Sequence, residues 1–434
     1  MHKLILVTGA TGYIASRLIP RLLDSDYRVR CLARDPLRLK GRSWFRHVEV
    51  IQGDVTVPLT LHASLQGVQT AYYLIHNMSH GRGYTSLELD SARAFASAAE
   101  QAGVEHIIYL GGLADPEQHI APHMRSRIET GRVLREGKIP VTEFRAGVIT
   151  GSGSISFEMI RFMTELFPVV PGPLWMRNKS QPIAIQNVID YLFAALTNPN
   201  GRGQVFEIGG PNVETYGNLM LRYARIRGLK RRMFLLPGIP IGFMAFGVGL
   251  ITPVPYPIAY ALIGGLSADS IVKHPAALEV FPEVKLIDFD AATQDALQKT
   301  RPSEIERVWD DGRPGLKFIK HEGCFIYHRE AAVNITPAEI LPAIREFVSA
   351  SGRLVVHQTQ DHMLVHEKNL VAGECWIEWR AGQIENLSTI SQTIFFRPHG
   401  LIGFLYWYLL HPCHVLRFSS LLRTIARQRT TNEA

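Results

Sequence analysis

One segment near the start constrains this chain more than any other. Leu4-Ile5-Leu6-Val7 has the composition of a buried strand, and it runs directly into Thr8-Gly9-Ala10-Thr11-Gly12-Tyr13-Ile14-Ala15. Ile14, Leu18 and Leu22 then recur at helical spacing. A strand that bends through glycines into a helix N-terminus makes an anion site. The first glycine permits the tight turn and the second lets the backbone approach a diphosphate. The unpaired N–H groups and the helix dipole then favour negative charge. In that setting the segment predicts a dinucleotide cradle formed by Gly9, Thr11, Gly12, Tyr13 and Ile14.

The next stretch of chain alternates strand and helix signals. Strands are predicted over 3–8, 28–33, 48–51, 70–75, 106–111 and 141–146, and helices over 12–24, 85–102 and 124–136. Such alternation means βαβ units on a doubly wound parallel sheet covered on both faces, an α/β fold. Asp54, in Gly53-Asp54-Val55 after the third strand, is placed to accept from an adenine amino group; a turn or cap role is the alternative. The end of the second strand selects the cofactor. An acidic residue there holds a free ribose 2′-OH, and an arginine accommodates a 2′-phosphate. The chain reads Leu32-Ala33-Arg34-Asp35-Pro36, with Arg38 and Lys40 close behind. Arg34 points to NADP, and Asp35 keeps NAD open.

Length and charge set outer bounds. The 434 residues call for two domains or more. The net charge of +7 comes from scattered basic residues with a modest excess near the end. This argues against a nucleic-acid partner and permits acidic ligands or anionic lipid. The four cysteines form no C-x-x-C pair, so neither a zinc ribbon nor a disulfide framework is expected. His411-Pro412-Cys413-His414 lacks a nearby carboxylate, and no metal site is expected there. Because the first strand begins at once, no secretory leader is read and a cytoplasmic protein is expected. The apolar stretch 234–266 is broken by Pro237, Pro240, Pro253, Pro255 and Pro257, and Leu401–Leu410 is short. Neither offers about twenty uninterrupted apolar residues for a span. A buried helical pair or pocket wall is the expectation for 234–266, with peripheral membrane contact as the alternative.

Beyond 154 the rhythm changes. Helices are expected over 156–167 and 187–198, a short strand over 204–209, a lid over about 212–290 and a closing helix near 290–299. From about 301 onward a second domain of α+β type is expected. It carries a helix over 337–349 and antiparallel strands over 353–358, 362–367, 374–380 and 389–397.

These residues resemble a known group. The glycine segment, the Ala-Arg-Asp-Pro turn, Gly53-Asp54 and Phe144-Arg145-Ala146-Gly147-Val148-Ile149 are similar to atypical extended short-chain dehydrogenases/reductases. These are the NmrA-like and epimerase-like proteins, here with a C-terminal DUF2867 domain. The resemblance implies a Rossmann NAD(P)-binding domain over 1–300 and a DUF2867-like domain over 301–434. It places Leu74, Ile75 and His76 over the nicotinamide ribose, and Arg145, Ala146, Gly147 and Val148 at the nicotinamide edge. The family's Ser, Tyr and Lys are missing. Tyr109-Leu110-Gly111-Gly112-Leu113 has glycine for serine, and by register His123 stands for the tyrosine and Arg127 for the lysine. Histidine donates a proton near neutral pH, whereas arginine does not deprotonate. A surface helix with ion pairs to Glu129 is the alternative.

The resemblance further implies a helix-grip-like second domain. Phe395, Phe396, Phe404, Tyr406, Trp407 and Tyr408 line a cavity there or fill an ordinary core. The tail Val415-Leu416-Phe418-Leu421-Leu422-Ile425, with Arg417, Arg423, Arg427 and Arg429, reads as a basic amphipathic helix. It either touches an anionic membrane or docks on the sheet. The functional expectation is an NADP(H) oxidoreductase acting on a small hydrophobic molecule such as a quinone or lipid. The alternative is a non-catalytic redox sensor or assembly protein. No interface pattern fixes an oligomeric state.

Overall fold

The computed structural model describes residues 3–39, 42–76, 84–118, 120–251, 256–299, 319–321, 324–333, 336–350, 354–359, 361–367, 372–384 and 387–410, with 412, 413, 415, 416 and 420 beyond. The chain divides into two compact units, one mainly of residues up to 298 and one mainly of residues from 314 onward.

The first unit opens with β1 (Leu4–Thr8), α1 (Tyr13–Leu23), β2 (Arg28–Ala33), β3 (Glu49–Gln52), α2 (Pro58–Leu65), β4 (Thr70–Tyr73), α3 (Tyr84–Gln101), β5 (His106–Gly112), α4 (Pro122–Arg135) and β6 (Val141–Ala146). It continues through β7 (Ile149–Thr150), α5 (Ile155–Leu166), β8 (Val169–Pro173), β9 (Lys179–Ser180), β10 (Ile183–Ala184), α6 (Ile185–Ala194) and β11 (Val205–Ile208). Last come β12 (Glu214–Thr215), α7 (Tyr216–Ile226), β13 (Arg232–Leu236), α8 (Ile241–Ile251), α9 (Tyr256–Gly265), α10 (Ala276–Val280) and α11 (Phe289–Gln298).

Seven strands form one sheet in the order β11-β6-β5-β4-β1-β2-β3, and every neighbouring pair is parallel. This is the doubly wound order, with its switch point between β1 and β4. Side chains of β1 alternate between two cores. Ile5 and Val7 join Leu18, Leu22, Val188 and Leu192 on one face. Leu4 and Leu6 join Leu61, Leu65, Phe95 and Val133 on the other. Both faces are dry, which is why the strand reads as a continuous apolar run.

Three local differences from the sequence reading have physical causes. The fourth strand stops at Tyr73, because Thr8 captures the next amide: its hydroxyl donates to Tyr72 O and accepts from Leu74 N. The helix expected over 187–198 ends at Ala194; Asn198 instead caps a short turn begun by Pro199. Helix α2 was not expected, because its apolar pattern is weak and Leu59 faces solvent. Helix α7 lies in a part of the lid where the sequence reading names no helix. The 234–266 stretch is a helical pair, α8 and α9, whose inner residues Met244, Ala245, Val248, Ala259, Leu262 and Ile263 form one cluster with Met159. Among the described residues no helix is long and apolar enough to cross a membrane.

The second unit contains β14 (Ile319–His321), β15 (Cys324–Val333), α12 (Pro337–Ala350), β16 (Leu354–Gln358), β17 (His362–Glu367), β18 (Gly373–Ile384), β19 (Leu387–Pro398) and α13 (Gly400–Leu409). Its sheet is antiparallel, in the order β14-β15-β19-β18-β17-β16. Two of these strands, β14 and β15, extend the expected four. Helix α12 buries Ile340, Leu341, Ile344 and Val348 and lies against β18 and β19. Trp407 stacks on Phe325 and Phe396 at 5.4 and 5.2 Å between ring centroids. The aromatic segment is therefore a core at these positions. The expected basic tail helix lies outside the described residues, apart from Val415, Leu416 and Ser420.

Candidate functional site

The β1–α1 turn is built from backbone. Gly9 adopts φ +69°, and a Cβ there would sit 2.7 Å from Leu74 O. Only glycine combines this left-handed backbone with so close an approach. Gly12 N donates to Gly9 O at 2.8 Å and closes the turn. Gly12 is also the N-cap of α1, where it offers no side-chain cap, and no acidic residue occupies the first turn. The first N–H groups of α1 have no intrahelical acceptor. They are the donor set a diphosphate needs.

The outer positions of the predicted site lie at strand ends beyond this turn. Arg34 is exposed after β2. Asp35 Oδ1 accepts from Leu37 N and shapes the following turn. Asp54 Oδ1 accepts from the amide and the hydroxyl of Thr56, so one carboxylate oxygen is engaged in the turn role. Val55 is buried in the core next to it. Lys40 falls outside the described residues.

A cavity of about 240 Å³ opens at the C-terminal ends of β1, β4, β5 and β6. Tyr13, Ile14, His76, His123, Arg127, Ala146, Gly147 and Val148 all line it. The parallel sheet brings these sequence-distant positions together at its switch point. Arg145 does not line it. Its Nε donates to the buried Glu143 at 2.7 Å. Leu74 and Ile75 contribute through the backbone beside Gly9.

Three polar side chains converge on the cavity. His76 Nδ1 lies 2.6 Å from Glu88 Oε1, and the Ser126 hydroxyl donates to the other Glu88 oxygen. Burial and Arg127 push the His76 pKa down, and Glu88 opposes them. Arg127 Nη2 donates to Leu110 O at 2.7 Å, and Tyr109 donates to Arg127 O. Near the N-terminus of α4, His123 is buried. Desolvation, then His76 and Arg127, push its pKa down to about 3. Its imidazole is uncharged at neutral pH, so an imidazolium acid is not its resting form. The α4 start is accordingly not a solvated surface helix. His76 Nε2, His123 Nδ1 and Arg127 Nε are buried polar atoms with no partner in the structure. A ligand carrying donors and acceptors would satisfy them.

Residues 1–200 match the model of the NmrA-like family, and residues 349–421 match that of a protein of unknown function, DUF2867. The chain is 28% identical over 275 residues to a (4-alkanoyl-5-oxo-2,5-dihydrofuran-3-yl)methyl phosphate reductase of Streptomyces griseus, covering 60% of this chain and 85% of that protein. It is 24% identical over 252 residues to the photosystem II assembly factor Ycf39 of Cyanophora paradoxa, covering 55% and 73%. The structure of an NADPH-dependent quinone oxidoreductase of Escherichia coli complexed with NADPH superposes with a TM-score of 0.54 at 18% identity, covering 67% of this chain and 98% of that one. That likeness carries the fold.

The first unit holds site residues that sequence reasoning missed. Glu88 is one, although it sits on the buried face of α3 with Ala92, Phe95 and Ala99 at helical spacing. A carboxylate at a core position is the signal that would have found it. Ser126 and Thr8 are others. A second, apolar cavity of about 90 Å³ adjoins the first, and the two share Val148, Ser156, Tyr216, Leu262 and Leu266. Its wall carries Met159, Met163, Met176, Met220 and Met244 with Trp175. These methionines are spread over 86 residues of sequence, so no local pattern announces them.

Proposed function

We propose that this chain is an NAD(P)H-dependent reductase of a hydrophobic small molecule. The single observation that carries the reading is the adjoining pair of cavities: a chamber at the sheet's switch point lined by His76, His123 and Arg127 lies beside a methionine sleeve. Methionine side chains adapt to apolar ligands of varied shape, and a mostly apolar pocket with few polar groups orients a small molecule. The cradle at Gly9–Gly12 would hold the diphosphate, and Thr11, Tyr13 and Ile14 flank it. Arg127, fixed by Leu110 O, would meet the ribose. The bound nicotinamide supplies a hydride. The chain's own part is to hold the acceptor in the sleeve, exclude water and position His76 and His123 near the reacting oxygen. Neutral His123 serves as a hydrogen-bond partner rather than as a cationic acid. His76, backed by Glu88, is the better placed of the two to exchange a proton with solvent.

The phosphorylated cofactor is the finer proposal. Arg34 is exposed where a 2′-phosphate would lie, and Ala33 leaves no carboxylate to repel it. Arg34→Ala is expected to weaken NADPH binding by about tenfold and to leave NADH binding unchanged, the loss of one charged hydrogen-bonding partner. Fluorescence titration with both cofactors checks this.

A second reading has its own support. Glycine at 111, arginine at 127 and an uncharged His123 remove the usual proton donor set, and one relative is an assembly factor. On this reading the nucleotide is sensed rather than consumed. NADPH oxidation followed with a panel of quinones and enals decides. Turnover that falls with His76→Ala or His123→Ala supports the reductase. Tight NADPH binding with no turnover across the panel supports the sensor.

A further inference from the structure

The hairpin that walls the apolar cavity has a second face. Helices α8 and α9 turn Met244, Ala245, Val248, Ala259 and Ile263 inward. Their opposite sides present Phe243 and Phe246, which are 73% and 61% exposed, and Tyr256 and Tyr260, both also exposed. The strand that precedes the hairpin also exposes apolar side chains. Along β13 the outward positions are Arg232, Phe234 and Leu236, with Met233 and Leu235 more covered, as strand alternation requires. An exposed aromatic patch of this extent marks an interaction surface rather than ordinary solvent-facing residues.

The charges that flank the patch in sequence indicate its partner. Between Glu214 and Asp269 there is no carboxylate, and from Met233 to Ala268 there is no charged side chain at all. Every charge in that interval is positive and lies before the hairpin, and Arg225, Lys230 and Arg232 are exposed. A protein partner would have to match an uncharged aromatic surface with carboxylates confined to its rim. An anionic bilayer matches both parts at once. Aromatic rings settle at the headgroup level, and exposed lysine and arginine meet lipid phosphates.

We propose that the outer face of β13, α8 and α9 is a docking surface for an anionic lipid bilayer. This places the methionine sleeve one helix layer from the acyl region, so that an apolar substrate enters from lipid rather than from water. Only that last clause rests on the reductase reading. The docking surface stands on exposure and charge alone.

Flotation of the full chain with vesicles tests it. The chain is expected to float with phosphatidylcholine vesicles containing phosphatidylglycerol, to float poorly with phosphatidylcholine alone, and to be released by salt. Phe243→Ser with Phe246→Ser, and separately Lys230→Glu with Arg232→Glu, are each expected to lower the bound fraction by about tenfold or more. Cofactor titration verifies that each variant is folded. No flotation of the parent chain overturns the proposal. So do variants that float like the parent, since contact then lies elsewhere, for instance in the basic tail. Light scattering that shows a dimer lost on Phe243→Ser with Phe246→Ser also overturns it, because a second copy then covers the face. Flotation without NADPH turnover leaves the docking surface standing and removes the reductase.

Discussion

The two ends of the cavity are made differently. The diphosphate end is backbone: Gly9, Gly12 and the first turn of α1 lie within a few residues of one another, and their geometry follows from local conformation. The reaction end is side chains: His76, Glu88, Ser126, His123 and Arg127 come from a strand end and two helices and meet only once the sheet has formed. A backbone site tolerates almost no change at its glycines. A side-chain site can exchange its chemistry and keep its shape.

The strongest way to break this comparison is Gly9→Ala. The left-handed backbone costs alanine about 1–2 kcal/mol, and the new methyl meets Leu74 O at 2.7 Å, an atom that cannot move without shifting β4's exit. Loss of detectable NADPH binding is expected, together with a lowered melting temperature. Calorimetric titration checks it. If binding survives, the diphosphate is not held by this turn.

Glu88→Ala tests the other end. It leaves His76 Nδ1 and the Ser126 hydroxyl without their shared acceptor in a buried site. Removing one partner of such a buried network costs about 3 kcal/mol. Urea unfolding should show that loss, and NADPH affinity should change far less than in Gly9→Ala because the Gly9–Gly12 turn is held by backbone and makes no contact through Glu88. Equal losses of affinity in the two variants would mean that the two ends are not separable.

Much of the fold is legible in the sequence for the same reason that the cradle is. Continuous apolar strands, helical periodicity and glycine turns are short-range signals, and they placed β1 to β6 within a few residues. The lid was readable only as an apolar tract, because Ile241–Ile251 is apolar all round and has no polar face to reveal its orientation. Glu88 was invisible because a carboxylate on a helix is ordinarily solvated. Its burial depends on His76, twelve residues earlier, and Ser126, 38 residues later. The ion pair of Arg145 with the buried Glu143, two residues before it, was likewise not legible, because neighbouring strand positions of one face carry no signal of burial.

The smallest effect sharpens the role of His123. Burial holds this imidazole neutral, with its pKa lowered from 6.5 to about 3. The unfolded chain takes up a proton below 6.5, and the folded chain does so only near 3. The sign follows: the stability associated with the neutral form is complete above 6.5 and is lost progressively as pH falls toward 3. At pH 5 the loss from this one group is about 2 kcal/mol. His123→Asn removes the titration while keeping a polar group of similar reach. Whatever it does to stability at pH 7, its decline between pH 7 and pH 5 should be shallower than the parent's by about that amount. His106, buried and lowered to about 4, contributes the same trend in both proteins and cancels in the difference. Parallel acid limbs would mean that His123 is open to solvent and protonates in the folded state, which would return it to the role of a cationic acid and make the reaction end far closer to the usual family chemistry.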